Sequence, residues 1–185
     1  MMSTTLHTAS ATHDVIALLI EDHKKVKKIF KAFEALQDAN ASNDKKAELV
    51  NQVCRELSVH AQIEEEIFYP AVRKAIGDND LMDKALVEHA GAKALIAQLQ
   101  SMRPTDELYA ARMTVLGEEI DHHATEEEDE MFPKVKKAKI DTTALGAKML
   151  QRKQALLAES ETLTKSDNAS DSAASVGVKK TAAKH

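Results

Sequence analysis

The chain has 185 residues, 43 % hydrophobic and 30 % charged, with a formal net charge of -5. That length supports one domain with a core of its own, and the lone cysteine, Cys54, excludes an internal disulfide and fits a reducing compartment. No long basic stripe, no run of eighteen apolar residues and no basic-then-apolar leader stands in the sequence, so a cytoplasmic protein with neither nucleic acid nor membrane as partner is expected.

Few Gly and Pro, beside much Ala, Leu, Lys and Glu, favour long helices over sheet. Residues 1–10 lack periodicity and read as a flexible leader, with His7 incidental. A first helix is expected from about Thr12 to Leu36, because Ile16, Leu19, Ile20, Val26, Ile29, Phe30 and Phe33 recur at helical spacing. His23 falls inside this apolar series, where a histidine is ordinarily a hydrogen-bonded core residue. His13, near the helix start, reads as surface or cap. Residues 37–44 are polar turn formers, with Asn43 or Asp44 as the next cap.

The second helix is expected from about Lys45 to Phe68, its stripe running Leu49, Val53, Leu57, His60, Glu64 and Ile67. Pro70 weakens the preceding turn but allows a kinked continuation to Ala75. Gly77 to Asp80 is a break. A third helix, about Leu81 to Met102, places Met82, Ala85, His89, Ala92, Ile96 and Leu99 on one face, so His89 repeats the situation of His23. Pro104 or Thr105 opens a fourth helix with the stripe Tyr109, Met113, Leu116, Ile120, His123 and Glu127. The stretch from Pro133 reads as a short basic turn, and Thr142 to Glu159 as a short amphipathic helix covering one end of the rest. Residues 161–185 are rich in Ser, Ala and Asp, a composition expected to form a disordered tail.

One pattern occurs twice. His60-x3-Glu64-Glu65 and His123-x3-Glu127-Glu128 share their spacing, and each is followed by an aromatic residue and a proline, Pro70 or Pro133, ten positions after the histidine. A spacing of four stacks His and Glu on one helical face, one turn apart. Glu-rich helices bearing a histidine are ordinarily just solvated, but two copies in one phase argue otherwise. The shared proline register selects His123 over its neighbour His122, which points about 100° away. A carboxylate such as Glu64 on a core face needs a cation, a proton or a strong donor.

These segments predict an all-α protein: an up-down-up-down four-helix bundle with a short additional C-terminal helix. His23, His60, Glu64, His89, His123 and Glu127 then meet near mid-bundle. Four imidazoles and two carboxylates suit two metal ions better than one, and mixed N/O ligation suits iron, manganese or zinc. The set lacks the Glu-x-x-His motifs of ferritin-like sites, and it is not a structural zinc site. No HExxH, phosphate-binding loop or dinucleotide fingerprint is present.

The order His23, His60-x3-Glu64, His89, His123-x3-Glu127, with its Phe68-Tyr-Pro70 and Phe132-Pro133 tails, resembles the hemerythrin-type HHE cation-binding domain. The resemblance covers about residues 11–137, leaving 138–160 as a helical extension. It implies that those six residues hold two iron ions, bridged by oxo or hydroxo and by the Glu carboxylates, with manganese or zinc as alternatives. Oxygen-carrying members have a further third-helix histidine one turn from the first. Here Ala85 and Lys93 flank His89 at that spacing, so the fifth imidazole is absent and a position is left for water, a tyrosine or another carboxylate. His122, Tyr109 and Glu65 are candidates to stand behind the ligands, while Glu65, Glu66, Glu126 and Glu128 otherwise read as solvated surface. The expected function is a non-haem di-iron protein that binds O2, peroxide or NO, with peroxide- or NO-processing turnover left open. An iron- or redox-responsive sensing module without turnover is the alternative, and a bundle whose histidines merely pack is the bland one.

Overall fold

The computed structural model describes residues 14–176, and all of them outside turns are helical. The expected leader, His7 and His13, and residues 177–185 of the expected tail lie outside the described residues. Helix α1 (Val15–Asp38) opens on Asp14, whose carboxylate accepts from the backbone N–H groups of Ile16 and Ala17. Helix α2 (Asn43–Ile63) follows a turn in which Asn40 takes φ of 50°. Its cap is Ser42, one residue before the expected caps.

At the first Glu-Glu pair the helix widens into a π turn, Glu64–Phe68, and resumes as α3 (Tyr69–Ile76). The second copy does the same: α5 (Tyr109–Glu126) passes through a π turn, Glu127–Met131, into α6 (Phe132–Lys137). The Tyr69 N–H bonds the Glu64 carbonyl, and the Phe132 N–H bonds that of Glu127. Pro70 and Pro133, which have no N–H, come next, where the ladder switches back to its tighter pitch. Thus Pro70 is carried inside a continuing helix, as expected. Pro133 is too, and the stretch read as a basic turn is helix α6.

Between these two rods lies α4 (Asn79–Ser101). Gly77, with φ of 68°, ends α3 in the left-handed conformation, and the Asp78 carboxylate caps α4 through the Leu81 N–H. Helix α5 starts at Tyr109 rather than at Pro104 or Thr105. The Asp106 carboxylate closes the intervening turn by accepting from the Arg103 N–H at 2.9 Å and its guanidinium at 3.2 Å.

The four rods form the expected up-down-up-down bundle, with α1 against α2 and α5, and α4 against α2 and α5. Helix α7 (Thr142–Val176) runs past the end expected near Glu159 and passes through Gly146 unbroken. It does not cover an end of the bundle. It lies along α1, α2 and the first π turn, burying Met149 and Leu156 and setting Lys153 against Asp22. No helix among the described residues is long and apolar enough to cross a membrane.

The core divides in two. One apolar cluster holds Leu19, Ile63, Phe68, Met82, Phe132 and Met149, and the other Val53, Leu57, Ile96, Met113, Leu116 and Ile120. Each large side chain fully buried in them contributes about 1.5–3 kcal/mol. A buried layer of polar side chains interrupts the apolar interior.

Candidate metal centre

That layer consists of His23, His60, Glu64, His89, His123 and Glu127, the six residues singled out by the repeated motif and the lone helix histidines. All are buried, with Glu64 at 0 % and Glu127 at 1 % exposure. Each α-helical rod contributes: α1 gives His23, α2 and its π turn give His60 and Glu64, α4 gives His89, and α5 with its π turn gives His123 and Glu127.

Every one of the four imidazoles is held from behind by a carboxylate. His23 Nδ1 lies 2.8 Å from Glu128, His60 Nδ1 3.5 Å from Asp22, His89 Nδ1 2.9 Å from Glu65 and His123 Nδ1 2.8 Å from Glu88. A carboxylate accepts only, so each Nδ1 carries a proton and each Nε2 is left to face inward. The second Glu of each Glu-Glu pair therefore serves the lone histidine of another helix: Glu65 serves His89 and Glu128 serves His23. Glu65 takes the supporting place expected of it. Glu128 is not mere solvated surface, because its residue lies on the side of the rod that meets α1.

Inward, the donors crowd. His60 Nε2 and His89 Nε2 lie 3.2 and 3.4 Å from Glu64 Oε2, and His23 Nε2 lies 3.3 Å from Glu127 Oε2. His89 Nε2 and His123 Nε2 face each other at 3.0 Å. Two lone pairs at that separation repel unless a proton or a cation stands between them. Both oxygens of Glu64, Glu127 Oε2 and His23 Nε2 are buried without a hydrogen-bond partner. Unsatisfied buried carboxylates cost several kcal/mol, so the donor set fits a cation. The donors fall into two groups whose atoms lie within 4.8 Å of one another: His23, His60, Glu64 and Glu127, and then Glu64, His89 and His123. Glu64 belongs to both.

The site's titration says the same. Burial, reinforced by the charge of Glu127, pushes Glu64 up to about 7. Against the cost of burial, the surrounding imidazoles hold Glu127 well below the usual carboxylate range. His23 rises to about 9 although burial opposes its charge, because the Glu127, Glu64 and Glu128 carboxylates surround it. Without a cation the cluster gathers protons in its place.

One site residue escaped the sequence reading. The Tyr69 hydroxyl donates to Glu127 Oε1 at 2.9 Å and lies 3.1 Å from His89 Nε2 and 3.4 Å from His123 Nε2. Burial with the nearby Glu64 and Glu127 charges raises it well above its ordinary value, so it keeps its proton. Tyr109, proposed instead, is not there. It is buried in the far apolar cluster, fourteen residues and so about 21 Å along the helix from His123. His122 does not stand behind a ligand either: it is exposed, with Nε2 3.3 Å from Glu126.

The profile of the hemerythrin HHE cation binding domain matches residues 14–135. The chain belongs to that family. Among relatives, it is 28 % identical over 123 residues to a DNA nickase of Nostoc sp., and 26 % identical over 121 residues to an uncharacterized hemerythrin-like protein of Schizosaccharomyces pombe. The matched parts are 66 % and 64 % of this chain but 33 % and 58 % of those proteins, so the chain spans about a third and somewhat over half of their lengths. The fold is shared with the crystal structure of an HHE domain-containing protein from Mycobacterium kansasii, with a TM-score of 0.65 at 23 % identity, covering 78 % of this chain and 87 % of that one.

Proposed function

We propose that this HHE domain holds two iron ions and binds O2 or a related small oxidant, peroxide or NO, beside them. The reading rests above all on the inward donors: four Nε2 atoms, each with its Nδ1 held by a carboxylate behind it, converge on Glu64, both of whose oxygens lack a hydrogen-bond partner, and on Glu127, whose Oε2 lacks one. His23 and His60, with Glu127, would hold one ion and His89 and His123 the other, with Glu64 within reach of both. Bound iron would supply the electrons and the coordination position for the oxidant. The chain's own part is to exclude water and place a proton. Leu19, Met82, Leu57, Leu116 and Ile120 enclose the layer from both ends, and Tyr69 keeps an O–H directed at Glu127 on the His89 side.

Anaerobic loading of the purified protein with ferrous iron tests this. About two irons per chain are expected, and fewer than one would overturn the reading. Mixing the loaded protein separately with O2, NO and H2O2 then separates a stable reversible adduct from rapid catalytic decay.

The sensing alternative also has an observation in its favour. Lys153 of α7 is paired with Asp22, which stands behind His60, so α7 is tied to the site. Slower hydrogen exchange in α7 on iron loading, with no turnover of any oxidant, would favour that alternative.

A further inference from the structure

The four carboxylates behind the imidazoles are not alike. Glu65, Glu88 and Glu128 have side chains 26, 22 and 34 % exposed, and they stand 2.9, 2.8 and 2.8 Å from their histidines. Asp22 is 9 % exposed and stands off from His60 Nδ1 at 3.5 Å. Its other oxygen, Oδ1, is taken by the ammonium of Lys153 on α7, a side chain only 12 % exposed. Water screens the charges at the three partly exposed supports, including the contact of Lys93 with Glu65. Little water reaches Asp22, so the neighbouring ammonium acts on it far more strongly than it would in solution. Lys153 also stands where a lysine is costly. Met149, Lys153 and Leu156 follow one another at spacings of four and three, so Lys153 shares the face of α7 that is buried along α1 and α2. A cation in such a place needs an anion to meet it, and Asp22 is that anion. The family match ends at residue 135, so this contact comes from the helical extension and not from the matched domain.

We propose that Lys153 is a positioning residue that holds Asp22 back from His60, and so makes the ion held by His23 and His60 the more readily reduced of the two. A carboxylate behind a ligating imidazole raises the basicity of the ring. A more basic ring favours the ferric ion over the ferrous one, because the higher charge gains more from it. Asp22 divides its charge between Lys153 and His60 and makes the longest of the four contacts, so His60 receives the least of this push. His89, His123 and His23 have their carboxylates in close contact and receive more. The redox part rests on the two-iron reading of the layer; the restraint on Asp22 does not.

Lys153→Met tests both parts, since it keeps an unbranched apolar stem on the buried face and removes only the charge. In the metal-free protein, proton NMR reads the restraint. The His60 Nδ1–H signal, identified by its loss in His60→Ala, should move downfield in Lys153→Met as Asp22 closes on the ring, and an unmoved signal would overturn the restraint. In the iron-loaded protein, a spectroelectrochemical titration reads the redox role. The higher of the two midpoint potentials should fall in Lys153→Met while the lower stays, and Lys153→Arg should return it toward wild type. Arg152→Gln loosens α7 at the adjacent residue by cutting its pair with Glu66, and it should leave both potentials where they are. Unchanged potentials in Lys153→Met, a shift of the lower one alone, or an equal fall in Arg152→Gln would overturn the redox role. A wild-type protein that takes up no iron would sink the two-iron reading instead, and the NMR comparison would still judge Lys153.

Discussion

Tyr69 and Phe132 occupy the same place in the two copies of the repeat, and only Tyr69 brings a hydroxyl to the buried layer. Each directly follows its π turn, five residues after the inward Glu. Tyr69 bonds Glu127 at 2.9 Å, whereas Phe132 stacks on His23, with ring centroids 6.1 Å apart and an interplanar angle of 7°. The layer is thus pseudo-symmetric in its ligands and asymmetric in its protons.

Tyr69→Phe should therefore separate structure from reactivity. It removes one buried hydrogen bond to a charged group, and the metal-free protein should lose about 1.5–3 kcal/mol in urea unfolding. Iron content should stay near wild type, because the six inward donors are untouched. The visible spectrum and the rate of reaction with O2 or peroxide should change. A variant identical to wild type in both would mean that Tyr69 only packs.

The supporting carboxylates can be tested as a matched pair. Glu65→Gln and Glu128→Gln each weaken the grip on one histidine, His89 or His23, without removing a ligand. Each should lower iron affinity by about 10–100-fold with little loss of fold, as such partners do at other metal sites. Competition with a chelator measures this. Glu66→Gln is the control, since Glu66 faces Arg152 on α7 rather than a histidine.

Much of this centre was legible before the structure. The spacing of four fixed His60 with Glu64 and His123 with Glu127, and the proline register chose buried His123 over exposed His122. What the spacing could not carry was the π turn. In an uninterrupted α-helix, five residues rotate a side chain about 140° off the face, which would turn Tyr69 away from Glu64. The wider turn brings it round. Tyr109 was attractive because it lies on the right stripe, but a stripe says nothing about depth along the helix. Glu128 was misjudged for a related reason: one residue beyond an inward position points toward a neighbouring helix, and which side chain waits there is a tertiary fact. The run of α7 along the bundle's side depends likewise on Lys153 meeting Asp22 and Arg152 meeting Glu66, contacts between residues far apart in sequence.

Removing the metal should destabilise the fold. A cation bound only by the native state stabilises it by mass action, about 2.7 kcal/mol at a free concentration one hundred times Kd. Chelated protein should melt several degrees below the loaded form. His60→Ala and Glu127→Ala should lose most of that difference, and equal melting with and without iron would favour histidines that merely pack.

The pH dependence of the metal-free protein follows from His23. Its folded-state value of about 9 exceeds the ordinary 6.5, so its contribution is fully present below pH 6.5 and is lost as pH rises through 9. Other shifted groups act elsewhere. Glu64, at about 7, releases its proton by neutrality. Glu127, Asp22 and Glu65 are lowered, so their contributions are complete above the usual carboxylate range. Burial lowers His89, whose effect falls below pH 6.5. The window from pH 7 to 9 therefore belongs chiefly to His23, and the metal-free protein should lose on the order of 2–3 kcal/mol across it. With metal bound, the ion replaces the proton at Nε2 and the slope should flatten. Urea unfolding at pH 7, 8 and 9, with and without iron, measures the difference, and parallel curves would rule out His23 as an inward ligand.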